Sequence, residues 1–203
     1  MTVLPIASDS WLAGLTLDEY VAGMKMLQAN MARRLASVQL TPAEREALAR
    51  YDGVRHVLVM TEDWCGDAVM NLPIVARIVE ALPDADLRVF VRPAAPELNA
   101  YYADQGVSHI PVVSFLQEDF RELGVWVERS RSADARRTEW MAGHPDLVVS
   151  KPPAELTLEE RQQRMRLFMG LMTEMEHWYD SGIQSDTVAE MRALLDGAVA
   201  ESD

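Results

Sequence analysis

The stretch Val54–Ala68, VRHVLVMTEDWCGDA, decides how the rest of the chain reads. Its apolar run Val57, Leu58, Val59 and Met60 has the length and β-branched content of a buried parallel strand. A polar break at Thr61, Glu62 and Asp63 follows, and then Trp64-Cys65-Gly66. From Asp67 the spacing of Met70, Ile74, Ile78 and Leu82 turns helical, so Cys65 falls where a strand gives way to a helix N-terminus. Unpaired N–H groups and the helix dipole gather positive potential there, which favours a thiolate over a thiol. Cys65 is also the only cysteine among 203 residues. A lone cysteine is ordinarily a buried structural residue. The strand–turn–helix setting makes this one a candidate nucleophile.

Outward from that turn, the pattern predicts strand 54–60, helix 66–82, strand 86–92, helix 96–105, strand 112–117 and strand 123–129. Strand, helix, strand gives a right-handed parallel unit. Glu118-Asp119-Phe120-Arg121 separates the last two strands as a hairpin turn. The expected architecture is α/β, a mixed four-stranded sheet flanked by helices. Sites in such sheets form beyond the carboxyl ends of the parallel strands, here Thr61 to Cys65 and Arg92-Pro93. The strand after Pro111 runs away from that rim and its hairpin partner returns to it. Arg129 and Arg131 are therefore expected on the rim with Cys65, where a basic edge would hold an anionic thiol. The plainer reading makes them part of a solvated turn and helix start.

Trp64-Cys65-Gly66 after a buried strand resembles the active-site turn of the thioredoxins. Pro73, inside the following helix, and Ile110-Pro111, entering the apolar run Val112 to Leu116, agree with that family in order and spacing. The resemblance covers roughly residues 50 to 130 and is nearest to a bacterial branch of thioredoxin-like proteins. It implies a thioredoxin-like fold with helical extensions at both ends, a reactive Cys65, and a cis-proline at Pro111 facing the sulfur. It also implies a substrate surface of Trp64, Gly66 and Ile110, joined on the rim argument by Arg129 and Arg131.

The departures shape the chemistry. Ala68 stands where thioredoxins carry a second cysteine, Asp67 where they carry proline, and Val59 where they bury a carboxylate. A dithiol cycle is closed to this chain. The expected function is a thiol–disulfide oxidoreductase using one cysteine, whose mixed disulfide is resolved by an external low-molecular-weight thiol such as glutathione. Its partner would be that small thiol or a disulfide- or thiol-bearing protein. Asp67 is the chosen proton acceptor for Cys65. Glu62, Asp63 and Asp67 should also oppose the helix dipole, leaving a partly exposed thiol with a modestly depressed pKa. His109 is expected near the pocket as an ordinary loop histidine. One alternative is a redox-inactive thioredoxin-fold module that binds extended peptides beside Pro111. Another is iron–sulfur carriage, which Cys65-Gly66-Asp67-Ala68 only partly echoes, and no metal-ligand spacing accompanies Cys65.

At 49% hydrophobic and 25% charged residues, the composition is that of an ordinary globular protein. With 19 basic against 32 acidic residues and a net charge of −13, nonspecific nucleic-acid binding is not expected. No segment has the apolar length to span a bilayer, and no membrane partner is expected. The first fifteen residues lack Lys and Arg, and Pro5 and Asp9 break their apolar stretch, so a secretory signal is not expected. A single cysteine suits a reducing cytoplasm.

Domain organisation is expected as an N-terminal helical extension over 1–50, a core over 51–143 and a C-terminal helical extension over 144–203. Thr16 with Glu19, Thr41 with Glu44 and Thr157 with Glu160 have capping-box spacing. Tyr20, Met24, Leu27 and Met31 read as one helical face, and Pro42 sits at a first helical position. Interruptions fall at Gly143-His144-Pro145 and Pro152-Pro153. A long helix then carries Met165, Phe168, Met172, Met175 and Tyr179 as a stripe, ending near Gly182 before a last helix over 186–198. The stripe packs on its own domain or, as the minority reading, forms a homodimer through the C-terminal helices.

Overall fold

The apolar run ahead of Cys65 forms strand β1, His56–Thr61, whose residues from Val57 onward are all buried. Burying each of its larger apolar side chains contributes about 1.5–3 kcal/mol, which places such a strand in the interior of a sheet. β1 pairs in parallel with β2, Asp86–Val91, and antiparallel with β3, Val112–Leu116. β3 pairs antiparallel with β4, Glu122–Val127, giving a four-stranded sheet of order β2-β1-β3-β4. Phe120, with φ 61°, turns the hairpin between β3 and β4, where the register shifts at Phe115/Leu116. The computed structural model describes residues 4–5, 8–145 and 152–200.

Helices cover both faces. Helix α5, Gly66–Ala81, is buried along most of its length and contains Pro73. Proline offers no N–H to the preceding turn, a local loss offset here by burial of Ile74, Val75 and Ile78. On the other face Leu58 and Met60 of β1 meet Leu98 and Tyr102 of helix α6, Pro96–Asp104, together with Trp11 and Phe90. Alternation along the strand explains the division.

The N-terminal segment contributes helices α1, Ser8–Leu12, α2, Leu17–Gly23, α3, Gln28–Ser37, and α4, Pro42–Leu48. Both expected capping boxes are present, Thr16 with Glu19 and Thr41 with Glu44. The face running from Tyr20 to Met31 is not one helix, however. It breaks between Gly23 and Gln28, with Leu27 left-handed at φ 54°. α3 and α4 pack on α5, and Arg77 of α5 donates to the carbonyls of Leu35 at 2.6 Å and Val38 at 3.1 Å. Those bonds satisfy acceptors at the end of α3 that the helix itself leaves open. Leu15 pairs with Val89 through bonds of 2.9 and 2.8 Å, so the N-terminal segment also covers the edge of β2. Gly14 permits this approach, since a Cβ there would lie 2.6 Å from the Phe90 ring.

Among the described residues, those up to Arg129 together with those from Thr187 onward form one compact unit, and those between Ser130 and Asp186 form another. In the first, helix α9, Gln184–Ala200, packs its later turns on the sheet: Leu194 lies against Gly124, and Trp126 Nε1 donates to Glu190 at 3.1 Å. Tyr51 donates a short hydrogen bond to Asp196. The second unit contains α7, Arg131–Ala142, and α8, Leu158–Trp178, which opens on the Thr157–Glu160 capping box. Leu171, Met172, Met175 and Tyr179 are buried, whereas Met165 and Met169 stay exposed. Gly182, with φ 134°, breaks the helical run after Tyr179, a conformation glycine alone adopts cheaply. Among the described residues no helix is long and apolar enough to cross a membrane.

Candidate active site

Cys65 caps α5 with extended backbone, φ −77° and ψ 113°. Its amide donates to the Glu62 carbonyl at 3.1 Å, closing the turn after β1, and its carbonyl accepts the first helical bond from Val69 at 3.2 Å. The Sγ–H donates to the Ile110 carbonyl at 3.4 Å, and the Ile110–Pro111 peptide bond is cis. Ala68 and Ile110 complete a small apolar cluster with the sulfur. Position 68 thus lies beside Cys65 and presents only a methyl group.

The thiol is not partly exposed, as the sequence suggested, but 6% exposed. Burial pushes its pKa up to about 11. The backbone N–H groups of Ala68 and Asp67 pull it down, while the charges of Asp67 and Glu128 add to the rise. The helix N-terminus acts on the sulfur in the expected direction, but desolvation outweighs it. The resting group is a neutral thiol hydrogen-bonded to a carbonyl.

Asp67 and Arg129 meet beneath the turn. Arg129 Nε donates to Oδ1 at 3.0 Å and Nη2 donates to Oδ2 at 2.9 Å, a bidentate pair 62 residues apart in sequence. Arg129 also bonds Glu128, and its side chain is 6% exposed. The hairpin carries Arg129 to the Cys65 end of the sheet, yet its charge is shared between two carboxylates rather than displayed to an anionic thiol. Asp67 in turn has both oxygens on the guanidinium. The buried Asn71 ties the same region together, donating to the Asp67 carbonyl at 2.9 Å and the Glu128 carbonyl at 3.2 Å. Arg131 opens α7, in the second unit.

The exposed rim is built by Trp64, Glu62 and Arg92. Trp64 is 44% exposed and its Nε1 donates to Glu62 at 2.9 Å. Arg92 reaches the other Glu62 oxygen at 2.8 Å from Nε and 2.6 Å from Nη2, with its guanidinium carbon 6.0 Å from the indole centroid. The sequence places Arg92 at this rim without giving it a task; the pairing explains it. Asp63 faces the N-terminal segment instead, accepting from the N–H groups of Lys25 and Met26. Of the three acids expected to act on Cys65, Asp67 alone is among the dominant influences, and Glu128 takes the place of the others. Gly66 is simply the first residue of α5, and His109 is exposed, with Nδ1 3.2 Å from the Ser108 hydroxyl.

A cysteine between a central strand and its following helix, facing the residue before a cis-proline at the head of an antiparallel strand, defines a thioredoxin-like protein. The family model described as thioredoxin matches residues 14–140, and the chain belongs to that family. Among solved structures, a protein of unknown function from Pseudomonas aeruginosa is similar in fold, with a TM-score of 0.62 and 22% identity over 95% of this chain and 99% of that one. An HIV epitope-scaffold is similar with a TM-score of 0.61 and 19% identity over the same shares. No curated protein is significantly similar to the chain.

Proposed function

We propose that the chain is a thiol–disulfide oxidoreductase working through Cys65 alone, with a low-molecular-weight thiol such as glutathione as co-reactant and a disulfide- or thiol-bearing protein or small thiol as partner. The observation that carries this reading is the sulfur's position at the start of α5, against the Ile110 carbonyl and beside Pro111. There the N–H groups of Asp67 and Ala68 favour the anion, and Trp64 offers an exposed apolar edge. In the forward step the Cys65 thiolate attacks one sulfur of R–S–S–R. A Cys65–S–S–R bond forms, the old bond breaks, and R–S⁻ leaves and takes a proton from water. A second thiolate, R′–S⁻, then attacks the outer sulfur, giving R–S–S–R′ and returning Cys65 as a thiolate.

Ala68 supplies no resolving sulfur, so release waits for the external thiol. The protein should reduce a small mixed disulfide in the presence of glutathione while doing little in a dithiol-type assay on a protein disulfide. Cys65→Ser should abolish the first activity. Equal activity in Cys65→Ser would remove the sulfur from the chemistry and leave a peptide-binding module as the reading.

A further inference from the structure

The first half of helix α8 has no core of its own. No residue from Leu158 to Gly170 is buried, and the first buried side chain of the helix is Leu171. Leu158 is 72% exposed, Met165 51% and Met169 38%. They are half of the six large apolar side chains that are exposed among the described residues, and they are not scattered. At about 100° per residue, Leu158, Gln162, Met165 and Met169 fall within about 60° of arc along about 16 Å of helix. Single exposed apolar residues are ordinary, whereas a contiguous stripe marks a surface that something covers. A helix of this length also gains little stability in water unless one face packs.

The charges beside the stripe say what that cover is. Glu159 and Arg166 stand on one flank of it, about 20° apart around the helix, and neither forms an ion pair within the chain among the described residues. We propose that α8 pairs with α8 of a second copy of this chain, antiparallel about a two-fold axis, with Gln162 of one copy level with Gln163 of the other. In that register Leu158 enters between Met165 and Met169 of the second copy, and Met165 enters between its Leu158 and Gln162. The same register sets Glu159 level with Arg166 of the second copy on facing flanks, and the symmetry makes that contact twice. One alignment therefore covers the stripe and joins the two unpaired charges. Arg161, on the other flank, is turned back to donate to the Leu156 carbonyl at 2.9 Å, so the Arg161 groups of the two copies point apart. A single helix pair is smaller than a standard interface, so the dimer forms and dissociates with concentration.

The test is the mass in solution by sedimentation equilibrium, over a wide range of concentration, for the full chain and for Met165→Glu, Glu159→Arg, Arg166→Glu and the double reversal. The parent should pass from monomer to dimer as concentration rises. Met165→Glu puts a charge at the centre of the stripe and should stay monomeric. Each single reversal sets like charges together at both symmetric contacts and should raise the dissociation constant about tenfold. Glu159→Arg combined with Arg166→Glu remakes the pair with its signs exchanged and should return the constant to near the parent's value. All three positions are exposed, so each variant should keep the helix content of the parent by circular dichroism. A parent that stays monomeric throughout would overturn the proposal and leave the stripe to a different partner. A dimer that survives Met165→Glu, or a double reversal no tighter than the single ones, would overturn it as well. The readout is mass and does not involve Cys65, so it stands or falls apart from the proposed thiol exchange.

Discussion

Arg129 grips Asp67 through two parallel hydrogen bonds of 3.0 and 2.9 Å, joining the end of the β3–β4 hairpin to the first turn of α5. Where a thioredoxin has proline and a second cysteine after its nucleophile, this chain has Asp67 and Ala68, and the ion pair fixes the turn from below. With side-chain exposures of 6% and 12%, the pair is poorly screened by solvent. Bidentate geometry also makes a lysine a poor substitute.

Arg129→Met should therefore be strongly destabilising. It leaves Asp67 and Glu128 carboxylates without their cation, and removing one partner of a buried pair costs about 3–5 kcal/mol. The urea midpoint reports this directly. A loss below about 1 kcal/mol would mean that the pair behaves like an exposed one.

Asp67→Asn acts on the sulfur as well as the scaffold. It removes one of the charges that raise the Cys65 pKa, and its amide oxygen can keep only one of the two bonds from Arg129, so the alkylation is read in a sample shown to be folded. The alkylation step of Cys65 should move below the parent's value of about 11, with faster modification at neutral pH. If Asp67 instead serves as the proton acceptor, the same variant should slow modification, so the sign of the change separates the two roles.

Stability should fall in alkaline solution, in part through Cys65. The folded chain keeps the thiol protonated up to about pH 11, whereas an unfolded cysteine ionises near about 8.5. Between those values only the unfolded state sheds the proton, so ionisation favours unfolding. The contribution is intact below about pH 8.5 and is lost as pH rises through the folded value, amounting to roughly 3 kcal/mol. Tyr20, Tyr51 and Tyr102 also have raised pKa values, so the parent curve must be compared with Cys65→Ser. The two curves should converge as pH rises; parallel curves would contradict the buried thiol.

Much of this architecture is legible in local sequence. Thr16, Thr41 and Thr157 announce helix starts because a capping box is a contact over three residues, and the run Val57 to Met60 announces a strand because burial on both faces leaves little room for polar groups. What stays hidden depends on partners distant in the chain. The break before Gln28 escapes periodicity because Tyr20, Met24 and Met31 are all buried across it, while Asp63 binds the intervening Lys25 and Met26 amides. The burial of Cys65 is hidden for the same reason, since Ile110 packs over the sulfur from 45 residues away. Hairpin direction is enough to bring Arg129 to the rim. It says nothing of Asp67 and Glu128, which take up its charge.

Ala68→Cys should add the resolving sulfur that the turn lacks. Ala68 is 1% exposed and clusters with Cys65, so a thiol there faces its partner at the cost of modest overpacking. After exposure to oxidised glutathione this variant should carry an intrachain disulfide in place of a lasting adduct. Persistence of the adduct would show that residue 68 cannot reach the sulfur.

The claim that Cys65 forms a mixed disulfide with an external thiol is tested most directly by intact mass after incubation with oxidised glutathione, in the parent and in Cys65→Ser. The account predicts one glutathione per parent chain, slow to form at neutral pH and faster as pH rises toward about 11, removed by added thiol and absent from Cys65→Ser. A folded parent that gains no mass even at alkaline pH would contradict it.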